Sequence, residues 1–263
     1  IYKHNKRVVF IAGPSSSGKT TFSKRLMIQL KVLGLRPKVI GLDDFFVNRD
    51  ETPLDELGNL DYDSIEAIDL DLFNEQIVAL MDGEEVTLPK YDFIKGRRGL
   101  QDEPCKLHDH EMLIIEGIHG LNDKLSHSID KKDKYKIYIS ALTQLNLDDH
   151  NRIPTTDNRL IRRIIRDHAT RGSNAEATLK QWASVRRGED RFIFPFQEEA
   201  DAVFNSALAY ELAILRDEAL ALLEEIKPQS EVYYQSKRLK KFLYHLRPFS
   251  DKRLVPNTSL LRE

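Results

Sequence analysis

The chain has 263 residues, 40 of them Lys or Arg and 42 Asp or Glu, with a formal charge of −2. At about 150 residues per domain this length allows one large domain or two small ones, and it is enough to fold without disulfide or metal staples. One cysteine excludes an intrachain disulfide framework, and the charge balance argues against a general nucleic-acid coat, leaving nucleic acid an unlikely partner.

Val8 to Ala12 is a β-branched and aromatic run that stops at Gly13-Pro14, the pattern of a buried strand. The helical pattern from Lys19 to about Leu33 carries Phe22, Leu26, Met27 and Leu30 on one face and ends at Gly34. A second strand is expected over Lys38–Leu42, running into Asp43-Asp44. A polar loop from about Val47 to Ser64 leads to an amphipathic helix over Leu70–Met81. Residues 86–110 read as irregular or short hairpin structure. Met112–Ile115 and Lys136–Ser140 are the third and fourth strands, and 202–204 is a short fifth. Helices are expected over 157–171, 175–187, 206–226 and 230–246, followed by an extended tail over 247–263. Short apolar strands alternating with helices predict an α/β fold with a mainly parallel sheet. No apolar run reaches the roughly 18–20 residues of a membrane span, so the expected location is cytoplasmic.

Gly13-Pro14-Ser15-Ser16-Ser17-Gly18-Lys19-Thr20 fits G-x-x-x-x-G-K-[ST] at every fixed position, between a strand and a helix. Such a loop turns successive backbone N–H groups onto phosphate oxygens, and the helix behind it adds its dipole. Lys19 would reach the β- and γ-phosphates and the Thr20 hydroxyl would ligate Mg²⁺; Thr21 completes the nucleotide-binding run. The motif implies nucleoside triphosphate binding and says nothing about an acceptor.

Ligands of open α/β sheets sit beyond the carboxyl ends of the strands, where Asp43 and Glu116 fall. Asp43 suits activation of an attacking hydroxyl, and Glu116 suits Mg²⁺. Each could instead be a cap or a solvated carboxylate. Strand alternation would turn only one of Asp43 and Asp44 inward.

Arg159, Arg162, Arg163 and Arg166 recur at helical spacing, with Arg171 beyond. The stripe can be a lid over transferring phosphates, a solvated basic face or an RNA-contacting surface. Tyr62-Asp63 and Tyr91-Asp92-Phe93 could stack on a base and bind hydroxyls, or serve core packing. His108 and His110 read as ordinary loop histidines, and Cys105 as inert.

With these residues assembled, the chain resembles the uridine kinase and phosphoribulokinase family of P-loop kinases, a bacterial uridine-kinase-like branch above all. The motifs are GPSSSGKTTF at 13–22, LDDFF at 42–46, LDYD at 60–63, LPKYDF at 88–93, IIEGIHGL at 114–121, RIPTTDNRLIRRIIRD at 152–167, SVRRGEDRFIFPFQEEAD at 184–201 and PNTSLLRE at 256–263. The resemblance implies a P-loop kinase fold: a parallel sheet of about five strands, helices on both faces and a helical lid. It implies one kinase domain over 1–263, with a lid at about 152–190 and C-terminal helices at about 206–246. The branch often carries N-terminal domains similar to parts of threonyl-tRNA synthetase, so the chain is expected to be a piece of a longer protein; a homo-oligomer is left open.

The resemblance also implies that a nucleoside 5′-hydroxyl attacks the γ-phosphate of ATP. Asp43 matches the family's base, Thr20 and Glu116 lie near the metal, and Asp63 matches an acidic residue that binds ribose hydroxyls. Tyr62, Tyr91 and Phe93 match aromatics around the base of the substrate. Arg163, Arg166 and Arg171 match lid and substrate arginines, and Gln181 a substrate-site glutamine. Uridine–cytidine kinases carry a base-reading His where this sequence has Gly96, and an Arg where it has Ser173. The expected activity is Mg²⁺- and ATP-dependent phosphorylation of a nucleoside, with a pyrimidine nucleoside such as uridine as the expected acceptor. The alternatives are a kinase of another small alcohol and a nucleotide-sensing or RNA-associated module.

Overall fold

The computed structural model describes residues 1, 6–56, 58–249 and 251–262. Most of the basic N-terminal segment, Leu57 of the polar loop, and Ser250 and Glu263 of the tail lie outside these. Contacts gather the chain into two compact units. The first contains Ile1–Pro14, Phe22–Tyr138 and Gly188–Phe204; the second contains Ser15–Thr21, Ile139–Arg187 and Asn205–Glu263. Among the described residues no helix is long and apolar enough to cross a membrane.

The sheet has nine short strands to draw on and uses five. β1 (Val8–Ala12), β2 (Arg36–Gly41), β7 (Glu111–Glu116), β8 (Lys134–Ser140) and β9 (Ala202–Asn205) form a parallel sheet in the order β2-β7-β1-β8-β9. All five residues of β1 are buried, so the strand is covered on both faces, which is why it reads as a continuous apolar run rather than an alternating one. Val8 and Phe10 join Ile40, Leu113 and Ile115 in the core beneath helix α2 (Leu70–Met81). That helix starts where the Asp69 carboxylate accepts from the Leu72 amide at 3.0 Å, and it buries Phe73, Ile77 and Leu80 at helical spacing. Helix α1 (Lys19–Val32) follows the phosphate loop and ends before Gly34, whose φ of +84° suits a glycine. The expected P-loop kinase fold is what the chain adopts.

The residues expected to be irregular or short hairpin structure form two small antiparallel pieces. β3 (Glu85–Val86) pairs with β6 (Cys105–Lys106), and β4 (Pro89–Asp92) pairs with β5 (Arg97–Leu100). In the second unit α3 (Thr155–Arg171) and α4 (Ala175–Phe192, whose last turn belongs to the first unit) are followed by α5 (Glu211–Glu224) and α6 (Tyr233–Tyr244). Leu160, Ile161 and Ile164 of α3 pack with Leu212, Leu215 and Leu223 of α5 and Leu239 and Leu243 of α6. Two expectations need correction. The helix expected from 206 begins at Glu211, because Ser206 and Leu208 bond to other groups instead. The tail is not extended: Lys252–Leu254 and Leu260–Arg262 are short 3₁₀ turns, the first capped by Asp251.

The loop after β7 is fastened to β8 by buried lysines. The Lys134 and Lys136 ammonium groups both reach Asp123, at 3.0 and 2.8 Å, and also bond to Ser126 and to the Leu121 carbonyl. Asn74 of α2 ties down the same loop through the Leu125 carbonyl and the Ser128 amide. His119 in this loop is 1% exposed and packs edge-on against Phe192 at 5.9 Å. Burial lowers its pKa to about 4, against the opposite pull of the Ser64 and Asp63 backbone.

Two stability predictions follow from these buried groups. Asp123→Asn removes the shared counter-charge of two buried ammonium groups, and should cost about 2 kcal/mol in urea denaturation; Asp123 is itself 62% exposed, which keeps the loss below that of a fully buried pair. For His119 the unfolded chain takes up its proton first, near the ordinary value of 6.5, so stability is lost as pH falls from 6.5 towards 4. Unfolding free energy should drop by about 2 kcal/mol between pH 7 and pH 5 on this account, and His119→Leu should flatten that part of the profile.

Candidate active site

The phosphate loop joins β1 to α1. Gly18 has a φ of +87°, and Ser16, with a φ of +57°, holds a left-handed conformation unusual for a side chain larger than glycine. What holds it is α3. Arg159 Nη1 donates to the Ser15 carbonyl at 3.1 Å, Arg162 Nη1 to the Ser16 carbonyl at 3.3 Å, and Arg163 Nη1 to the Ser15 hydroxyl at 2.7 Å. Arg162 also donates to the Ser206 carbonyl at 2.9 Å and pairs with the buried Glu211 carboxylate. Ser206 in turn donates to the Ser17 carbonyl. Arg159 lies over the Trp182 ring at 5.4 Å. The three arginines are therefore buried ties between the helix and the loop and not part of a solvated basic face.

Further along α3, Asp167 is buried among cations. Its carboxylate meets Arg163 Nε at 3.2 Å, Arg166 Nη2 at 2.7 Å and Arg171 Nε at 3.6 Å. Its backbone carbonyl accepts from Ser173, after Gly172 ends the helix with a φ of +63°. Ser173 thus belongs to the cap of α3.

A cleft of about 400 Å³ opens beside the loop, lined by Ser16–Thr20, by Arg162, Arg166 and Arg171, and on its far side by Ile214, Leu215, Lys252, Leu260 and Leu261. The Ser16 and Ser17 hydroxyls are buried there without a hydrogen-bond partner, as is that of Thr21 next along the helix. Orphaned hydroxyls, a positive-φ loop and a cationic wall fit a polyphosphate.

In the first unit the strand ends are level: Glu116 lies opposite Ile11 on one side and Gly41 on the other. Asp43 comes two residues after Gly41, on a 3₁₀ turn over Leu42–Phe45, and is exposed. The expected strand alternation does not apply on such a turn, yet the pair is still separated. Asp44 accepts from the Tyr91 amide at 3.3 Å, and burial raises its pKa against the pull of that amide and of Lys90. Among the described residues no cluster of three or more His, Cys, Asp or Glu could hold a metal alone. Mg²⁺ does not require one, since it takes one or two protein oxygens and completes its shell from phosphates and water; the Thr20 hydroxyl and the Glu116 carboxylate are oxygen donors of that kind.

The expected acceptor aromatics form one cluster. Phe46 meets Tyr62, Tyr91 and Phe93 at centroid distances of 5.7, 5.6 and 6.2 Å, all edge-on. Tyr91 is also part of the core, so packing and a site role coincide in it. Its hydroxyl is buried without a hydrogen-bond partner, and burial, with Tyr62 alongside, raises its pKa. Phe93 is exposed. Asp63 lies against Gly188 of α4, where a Cβ would come within 2.5 Å of the carboxylate. Gln181 is exposed on the same helix.

Arg49 is a neighbour that sequence reasoning missed. Its Nη2 donates to the Phe93 carbonyl at 2.6 Å, its Nε to the Tyr62 hydroxyl at 3.4 Å, and its backbone amide to the Gly96 carbonyl at 2.9 Å. The hydrogen bond to Tyr62 raises the Arg49 pKa further. Gly96 has a φ of +65°, and a Cβ there would lie 2.5 Å from Arg49 Nε. The glycine in place of the base-reading histidine is thus required by the backbone and by the arginine beside it. The paired arginine and glycine, 47 residues apart, left no local signal. Glu211 and Ser206 were likewise illegible, being distant in sequence from the loop they support.

Comparison with known proteins gives the chain its family. A uridine kinase of Staphylococcus aureus (strain JH9) is 29% identical over 208 residues, covering 79% of this chain and 91% of that protein. The solved structure of the YGR205w protein matches 76% of this chain and 85% of that one with a TM-score of 0.50 at 14% identity, a likeness of fold alone. The structure of a possible uridine kinase from Bacillus stearothermophilus matches 76% of this chain and 89% of that one at 22% identity, with a TM-score of 0.47. The family model described as phosphoribulokinase/uridine kinase matches residues 8–213, so the chain belongs to that family and is, at that level, a P-loop nucleoside or sugar kinase.

Proposed function

We propose that the chain transfers the γ-phosphoryl group of ATP, with Mg²⁺, to the 5′-hydroxyl of a nucleoside, a pyrimidine nucleoside such as uridine in the first instance. The observation that carries this reading is the cationic cleft on the phosphate loop, with its orphaned serine hydroxyls. The aromatic cluster beside Asp63 supports an acceptor with a ring and vicinal hydroxyls, and the uridine kinase relative supports the same class.

In this reading the loop amides and Lys19 hold the β- and γ-phosphates, and Arg162, Arg166 and Arg171 place positive charge where the phosphoryl group carries its own. Bound Mg²⁺ would neutralise phosphate charge, held by Thr20 and Glu116. Asp43 takes the proton of the 5′-hydroxyl as that oxygen bonds to the γ-phosphorus, and the bridging P–O bond to ADP breaks. Tyr62, Tyr91 and Phe93 wall the acceptor ring, Asp63 takes its ribose hydroxyls, and Arg163 and Gln181 complete the substrate side. Arg159, Arg162 and Arg171 belong to a lid, over about 152–190, that excludes water from the transferring group.

One observation favours a second reading, a kinase of another small alcohol. Arg49 and the backbone of Gly96 occupy the place where uridine–cytidine kinases read the pyrimidine with a histidine.

The test is mass-spectrometric product detection with ATP and Mg²⁺ over a panel of nucleosides and, separately, non-nucleoside alcohols. One nucleoside monophosphate, formed in proportion to the protein, is the expected result. ATP binding with no acceptor phosphorylated would favour a nucleotide-sensing module instead. Asp43→Asn should slow transfer by about 10²–10⁴-fold while leaving ATP affinity within a few-fold; strong residual transfer would move the base role to Asp44.

A further inference from the structure

The far wall of the phosphate-loop cleft is made by a part of the chain to which neither the phosphate loop nor the acceptor cluster assigns a task. Residues 251–262 fold back over α5, where Lys252 pairs with Glu218 at 3.0 Å and Phe249 donates its amide to the Ala213 carbonyl at 3.0 Å. Arg262 closes the segment on itself through the Lys252 and Val255 carbonyls. This pinning sets Leu260 and Leu261 on the cleft opposite the cations, next to Ile214 and Leu215.

The cleft therefore has two chemistries. One side is cationic and hydroxyl-rich and suits phosphates. The other has Ile214, Leu215, Leu260 and Leu261, and its two charged groups, Lys252 and Glu218, neutralise each other at 3.0 Å. A ligand matching both ends is a polyphosphate carrying a flat, weakly hydrated ring, and about 400 Å³ is within the range of small-molecule sites. We propose that Leu260 and Leu261 form the wall against which the purine base of the donor nucleotide packs, so that the 251–262 segment is part of the donor site. The proposal rests on the reading of this cleft as the ATP site. Contact between aliphatic side chains and a ring face is indifferent to the ring's substituents, so the wall gives affinity for a purine without choosing adenine over guanine.

The experiment is calorimetric titration of the full chain, with Mg²⁺, using ATP, GTP and inorganic tripolyphosphate, which has the phosphates and lacks the base. Leu260 is the residue to change, since it is only partly buried, whereas Leu261 also packs in the core. Leu260→Ala should weaken ATP and GTP by about ten-fold, the loss expected for a few methylene contacts, and leave tripolyphosphate within about two-fold. Leu260→Met, which keeps the volume, should retain most of the ATP affinity. If Leu260→Ala weakens all three alike, or none, the base wall is overturned while the kinase reading stands. Equal affinity of the unaltered chain for ATP and tripolyphosphate overturns it too, since the base would then contribute nothing. If the unaltered chain binds neither, the ATP-kinase reading falls and takes this proposal with it.

Discussion

The grip of α3 on the phosphate loop is the constraint from which the second unit takes its form. A phosphate-binding loop turns its N–H groups inward, which leaves its carbonyls facing out and in need of donors. Arg159 and Arg162 supply them at Ser15 and Ser16, and Arg163 holds the Ser15 hydroxyl. The left-handed Ser16 is over-determined by these bonds, as a strained functional residue has to be. Buried guanidinium groups then need counter-charges of their own. Glu211 serves Arg162, and Asp167 serves Arg163, so the start of α5 and the last turns of α3 are fixed by the same requirement. Asp167 also meets Arg166 and Arg171, so one buried carboxylate organises the end of the helix as Glu211 organises its middle.

The first unit solves a different problem, the placement of carboxylates with distinct duties. Asp43 and Asp44 are neighbours on one 3₁₀ turn, and Asp44 accepts from the Tyr91 amide, which fastens the β4–β5 hairpin to the end of β2. The hairpin carries Tyr91 and Phe93 into contact with Phe46, from the same stretch as Asp44. Asp63 depends on Gly188, because only a glycine lets a carboxylate lie that close to a helix. The turn of α4 beyond Gly188 also brings Phe192 against His119, in the loop that begins at Glu116.

Local pattern accounts for what was legible. The phosphate loop is defined by glycines and a lysine at fixed spacing. α2 matches its expected limits of Leu70 and Met81 because cap, apolar stripe and stop lie within one short window. The central strands β1 and β7 are apolar runs, as burial on both faces demands. What could not be read depends on pairing over distance. A stripe of arginines looks the same whether it faces water or a carbonyl 144 residues away, as Arg159 does. The tail was read as extended because its prolines exclude regular structure, yet prolines do not say what the segment docks on. The Asp43-Asp44 ambiguity could not be settled from a strand rule, since the residues are not on a strand.

The same distinction bears on the departure at position 96. Read along the chain, Gly96 is a bare departure from the residue that the resemblance implies. In three dimensions it belongs to a local arrangement. The left-handed backbone excludes most side chains there, and the arginine that fills the vacated space is tied to the Phe93 carbonyl and the Tyr62 hydroxyl. A histidine can donate or accept, whereas a guanidinium can only donate. Substituting histidine at Gly96 alone would therefore not restore the relatives' pocket, because it would meet both an unfavourable φ and the Arg49 side chain. Position 49 and position 96 therefore have to be considered as one element.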